Sequence, residues 1–96
     1  MKHIDDKAVD LFAADMKARL KFLRETKGKS GWDDCDPQVL ADGVMRHLEA
    51  GKKDSLLNAA NYMMMMHLRH ITAVMVDKYK LTLLDEGENF IPVRNK

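Results

Sequence analysis

The run Asn58-Ala59-Ala60-Asn61-Tyr62-Met63-Met64-Met65-Met66 decides the fold, because two carboxamides three residues apart enter a segment otherwise too apolar to face water. At about 100° per residue, Asn58, Asn61, Met65, Arg69 and Thr72 share one narrow stripe. Leu57, Met64, His67, Ile71 and Val74 lie broadly on the other side. Apolar residues on nearly every face mark a helix packed on several sides, so the stripe either binds something or is wholly buried. The pattern predicts a helix over 55–79, capped by Asp54 or Ser55.

Upstream, Asp36 is a natural N-cap, and Pro37 suits a first helical position because it needs no donated hydrogen bond there. A helix over 37–50 follows, with Leu40, Val44, His47 and Leu48 inward, Asp42, Arg46 and Glu49 outward, and Gly51 closing it. The short Lys52-Lys53-Asp54 turn makes this helix and the next an antiparallel hairpin. Further upstream, Val9, Phe12, Met16, Leu20 and Leu23 recur at helical spacing and predict a first helix over 5–24. Its end is basic: Lys17, Arg19, Lys21, Arg24, Lys27 and Lys29 are opposed only by Glu25. Such charge complements a helix C-terminus or offers an anion site.

Thr26-Lys27-Gly28-Lys29-Ser30-Gly31 breaks that helix. Gly28-Lys29-Ser30 is not a phosphate-binding loop, since Leu23 stands where the pattern needs a glycine and a helix precedes it where a strand is required. Beyond Tyr79, Lys80 to Leu84 reads as a last helical turn or a short strand, Asp85 to Asn89 as a turn, and Phe90-Ile91-Pro92-Val93 as an apolar tail interrupted by proline. The fold expected is therefore all-α: a single domain over 1–96, an N-terminal helix plus an antiparallel helical hairpin, a tail over 80–96, assembled as an oligomeric helical bundle.

Composition favours the oligomer. Ninety-six residues give a small core, and the eight methionines adapt to irregular contacts within or between subunits. A net charge of +1 argues against a nucleic-acid-binding surface. Cys35 is the only cysteine, which permits no internal disulfide and fits a reducing compartment. Neither a signal peptide nor a membrane-spanning run is legible, so a cytoplasmic protein with no membrane partner is expected.

Few residues point to chemistry. Trp32 lies in the polar loop Gly31 to Pro37 and either anchors that loop or covers a pocket, while Asp33 and Asp34 are turn formers or Mg²⁺ ligands. His67 and His70 are at helical spacing, but a zinc site needs three or four converging ligands. His47 faces inward and requires a polar neighbour, with Asn58 and Asn61 across the hairpin as candidates. Cys35 sits in an acidic loop, which disfavours a thiolate nucleophile.

The helix containing Phe12-Ala13-Ala14-Asp15-Met16-Lys17-Ala18-Arg19-Leu20, then Lys27-Gly28, Gly31-Trp32-Asp33-Asp34-Cys35 and Asn58 to Met64, resembles the short phage and prophage relatives of the all-α MazG-like nucleoside-triphosphate pyrophosphohydrolases. The resemblance spans about residues 8 to 70. It implies helical dimers or tetramers that hold Mg²⁺ on clustered carboxylates and release pyrophosphate. This chain departs from that pattern. Met45-Arg46-His47-Leu48-Glu49 keeps one acid of the first metal-binding run, and Asn58 stands where an aspartate is expected. A neutral amide offers only its carbonyl oxygen and no charge to offset Mg²⁺.

The reading that follows is a phage-type binding protein without catalytic residues or a cofactor. It is expected to sequester, as a homo-oligomer, a nucleotide or a cyclic-nucleotide signal, which the phage resemblance links to host defence. Its expected ligand contacts are Arg24, Lys27, Lys29, Trp32, His47, Asn58, Asn61 and Arg69. Two competing readings are a divergent Mg²⁺-dependent pyrophosphohydrolase using Asp33, Asp34, Glu49 and Asp54, and a protein-binding inhibitor module.

Overall fold

The computed structural model describes residues 2–87 and divides the chain into two units, one ending at Ser30 and one beginning at Gly31. The first unit is the helix α1, Ile4–Lys27. His3 caps it by accepting the Asp5 amide at 2.9 Å. Asp5 and Asp6 lie in its first turn and Arg24 and Lys27 in its last, both matched to the helix dipole. Gly28 ends it at φ 62°, a left-handed conformation that glycine adopts without a Cβ penalty. No residue of α1 is buried. The apolar stripe is there as expected, but Val9 is 65% and Phe12 43% exposed.

The second unit contains two helices and a β-hairpin. α2, Pro37–Ala50, begins as predicted: Asp36 accepts the Gln38 amide at 3.0 Å and Pro37 occupies the first turn. α3, Ser55–Leu68, follows a four-residue connection, and the two helices pack on one another as the expected antiparallel pair. The core between them is Leu40, Ala41, Val44 and Met45 of α2 with Ala59, Met65 and Met66 of α3. Gly43 allows the close approach, because a Cβ there would lie 2.8 Å from the Tyr62 ring. Two expectations about these faces are corrected. Leu48, read as inward, is exposed, and α3 is not packed on several sides, since Leu56 is 75% exposed and Met63 also faces outward.

The all-α expectation is overturned beyond Leu68. α3 does not run to Tyr79; it stops in a Schellman arrangement, in which the Ile71 amide donates to the Met66 carbonyl and the His70 amide to the His67 carbonyl, both at 3.0 Å. His70 takes the left-handed conformation at φ 59°, and Ile71 is buried just after it. The chain continues as β1, Thr72–Asp77, and β2, Lys80–Asp85, an antiparallel pair around a two-residue turn. The physical reason is the β-branched alternation Thr72, Val74, Val76, which suits a pleated strand better than a helix. Of the two readings offered for Lys80 to Leu84, the strand is the one found.

The hairpin joins the unit through β2, which packs on α2 and half-buries Leu81, Thr82 and Leu83. The Gln38 side-chain amide reaches the Leu81 carbonyl at 3.5 Å. At the end of β2, Gly87 donates its amide to Asp85 Oδ1 at 2.8 Å and runs against the Arg69 carbonyl, leaving no room for a Cβ. The expected apolar tail Phe90 to Val93 lies outside the described residues. Among the described residues no helix is long and apolar enough to cross a membrane.

Candidate functional site

The chemistry-bearing residues of the second unit gather where the end of α3 meets the turn that precedes α2. That turn is closed by the amides of Asp34 and Cys35, which both donate to the Gly31 carbonyl. Two of its carbonyls are bound by Arg69, which follows α3 and is 2% exposed. Arg69 Nη1 donates to Trp32 O at 2.9 Å and to Cys35 O at 2.8 Å, and it lies 3.7 Å from Cys35 Sγ. Asp33, in the same turn, is buried. An arginine is suited to this position because one planar guanidinium serves several acceptors at once.

Of the stripe read from sequence, Asn58, Asn61, Met65 and Arg69 lie on the inner side, whereas Thr72 falls beyond the end of α3 and is exposed on β1. Asn58 is half-buried, whereas Asn61, Met65 and Arg69 are buried on the side of α3 turned to its own unit. Asn61 is the anomaly. It is 3% exposed, and neither Oδ1 nor Nδ2 has a hydrogen-bond partner among the described residues. Arg69 Nε is likewise buried without a partner. Buried polar atoms are nearly always paired, so each such group calls for a reason.

The eight residues expected to contact a ligand are only partly brought together. Trp32 and Arg69 meet directly, through the backbone carbonyl of Trp32. His47 reaches α3, where its ring stacks on Tyr62 with centroids 5.5 Å apart. Asn58 and Asn61 lie on the inner side of α3. Arg24, Lys27 and Lys29 belong to the first unit and are exposed there. Sequence reasoning missed two residues that shape the site. Gly43 seats Tyr62 beside His47, and its signal was a glycine in the middle of an otherwise apolar helix face; Gly87 closes against the Arg69 carbonyl, for which sequence offers no signal beyond a turn.

The carboxylates needed for a metal-dependent hydrolase do not converge. Asp33 is buried, Asp34, Glu49 and Asp54 are exposed, and among the described residues no three histidine, cysteine, aspartate or glutamate side chains are placed to hold a metal ion. One open groove of about 690 Å³ runs between the start of α2 and β2, lined in part by Asp36, Gln38, Lys80, Asp85 and Glu86. None of the eight expected ligand contacts lines it, and its acidic rim is poorly matched to a phosphate. No protein-family model matches the chain, and neither the curated proteins nor the solved structures contain a detectable relative of it.

Proposed function

We propose that this protein binds a nucleotide or nucleotide-like signal without hydrolysing it, and does so as a homo-oligomer. The observation that carries the proposal is the Asn61 carboxamide, buried on the inner side of α3 with neither polar atom paired among the described residues. Keeping such a group costs roughly 1–3 kcal/mol, and a leucine of similar size would avoid that cost. A carboxamide offers one donor and one acceptor side by side, the pattern that recognises the edge of a nucleobase. Both atoms are closed to solvent, so binding has to open the inner face of α3 to expose them.

The resemblance to MazG-like phage proteins supplies the ligand class and the suggestion that the signal belongs to a host defence. Loss of hydrolysis is supported by Asn58, which stands where that family has an acid, together with the scattered carboxylates. Arg69 is assigned to structure in this reading, because its Nη1 is committed to two backbone carbonyls. Nothing in it depends on Arg24, Lys27 or Lys29.

The test is mass spectrometry of small molecules released from heat-denatured protein, followed by calorimetric titration of the released compound, or of nucleoside triphosphates and cyclic dinucleotides, into wild type and Asn61→Leu. Binding by wild type, lost in a folded Asn61→Leu, is the expected result. Equal binding by both moves the site away from Asn61, and no binding by wild type rejects the reading.

A further inference from the structure

α1 is a 24-residue helix without a single buried residue, although its sequence carries a continuous apolar stripe. At about 100° per residue, Val9, Phe12, Met16, Leu20 and Leu23 fall within one narrow arc. The stripe is symmetric about Met16: Phe12 and Leu20 lie four residues to either side, and Val9 and Leu23 lie seven. The charges are antisymmetric about the same residue. Asp5, Asp6, Asp10 and Asp15 precede it with only Lys7 among them, whereas Lys17, Arg19, Lys21, Arg24 and Lys27 follow it with only Glu25.

We propose that α1 pairs antiparallel with α1 of a second copy, with Met16 on the twofold axis. In that register Val9 is level with the partner's Leu23 and Phe12 with the partner's Leu20, so the apolar stripes cover each other along their length. The twofold sets each flank of the stripe against the same flank of the partner, reversed in direction. Asp6 and Asp10 share a flank with Lys17, Lys21 and Arg24. The reversal therefore places Asp6 and Asp10 beside the partner's Lys21 and Arg24. On the other flank Asp15 comes beside the partner's Arg19, and at the ends of the seam Asp5 is level with the partner's Lys27. A parallel pair would set the two basic halves side by side, so charge selects the antiparallel form.

Two local contacts are compatible with this. Asp10 already pairs with Lys2 at 2.5 Å on the exposed surface, and Arg19 lies over the Phe22 ring, 5.3 Å from its centroid. The Lys2–Asp10 pair is exposed on both sides, and such pairs exchange partners at little cost. The inference specifies the interface for the homo-oligomer of the proposed function and is independent of any ligand.

Cysteine cross-linking of the full chain in a Cys35→Ser background tests it, with sedimentation of the wild type alongside. Met16→Cys is expected to link to itself under mild oxidation. Val9→Cys is expected not to self-link, but to link to Leu23→Cys when the two proteins are mixed. Self-linking of Val9→Cys as efficient as that of Met16→Cys would show a parallel pair and overturn the inference. A wild-type dimer in which neither the Met16→Cys nor the mixed link forms overturns it while leaving the homo-oligomer intact. A wild-type monomer at micromolar concentration overturns both. Charge exchange gives a second readout. Lys21→Glu with Arg24→Glu, and separately Asp6→Lys with Asp10→Lys, should each weaken self-association by roughly tenfold or more, and mixing the two variants should restore pairing. Failure of the mixture to pair would count against this register.

Discussion

Arg69 Nη1 donates to the carbonyl oxygen of Trp32 at 2.9 Å, tying the end of α3 to a turn 37 residues earlier in the chain. The same nitrogen holds the Cys35 carbonyl, so one side chain fixes the turn from which α2 starts. Arg69→Met keeps much of the volume but leaves both carbonyls without their donor. A loss of about 3–5 kcal/mol in unfolding free energy is expected, from a buried charged donor removed and its acceptors stranded. Urea denaturation checks it, and a loss below the range expected for a surface substitution, roughly 0.5 kcal/mol, would contradict the role.

Gly43 and Tyr62 make a second paired prediction. Alanine in a helix interior is ordinarily favoured over glycine by about 1 kcal/mol, but here its Cβ would meet the Tyr62 ring at 2.8 Å. Gly43→Ala should therefore destabilise the protein, by roughly 1–2 kcal/mol once overpacking outweighs the helix gain. In a Tyr62→Ala background the sign should reverse. Thermal unfolding of the four proteins in that double-mutant cycle measures the coupling.

His70 occupies a left-handed position that helices usually end with glycine. His70→Gly removes the Cβ penalty and should stabilise by about 0.5–1 kcal/mol, net of the greater freedom of glycine in the unfolded chain. Its side chain is exposed, so little packing is lost. A fall in melting temperature on this substitution would mean that the His70 side chain has a structural contact of its own.

Asn58 and Asn61 separate chemistry from binding. No turnover of common nucleoside triphosphates with Mg²⁺ or Mn²⁺ is expected from the wild type, and turnover near about 10 per second in a phosphate-release assay would reject the binding reading. Asn61→Leu should raise the unfolding free energy by roughly 1–3 kcal/mol, because it replaces unpaired buried polar atoms with hydrocarbon. If that variant is instead less stable than wild type, the carboxamide is satisfied in the folded protein.

The sequence by itself determined the local elements whose signals are short-ranged. Asp36 and Pro37 announce the start of α2, Gly51 its end, and the recurrence of Val9, Phe12, Met16, Leu20 and Leu23 the presence of α1, which runs to Lys27, past the end expected near residue 24 and into the segment read as its break. It also identified Asn58, Asn61 and Arg69 as one stripe, because helical spacing is a property of the backbone alone. Which way that stripe faces was decided by tertiary structure. Arg69 turns inward because the carbonyls of Trp32 and Cys35, distant in sequence, lie within its reach. The end of α3 was likewise not legible from periodicity, since residues 69–79 continue an apolar pattern that serves a helix or a strand. A Schellman bond pair at Met66 and His67 and the pairing of β1 with β2 resolved it, by giving the backbone after Leu68 hydrogen-bond partners outside the helix.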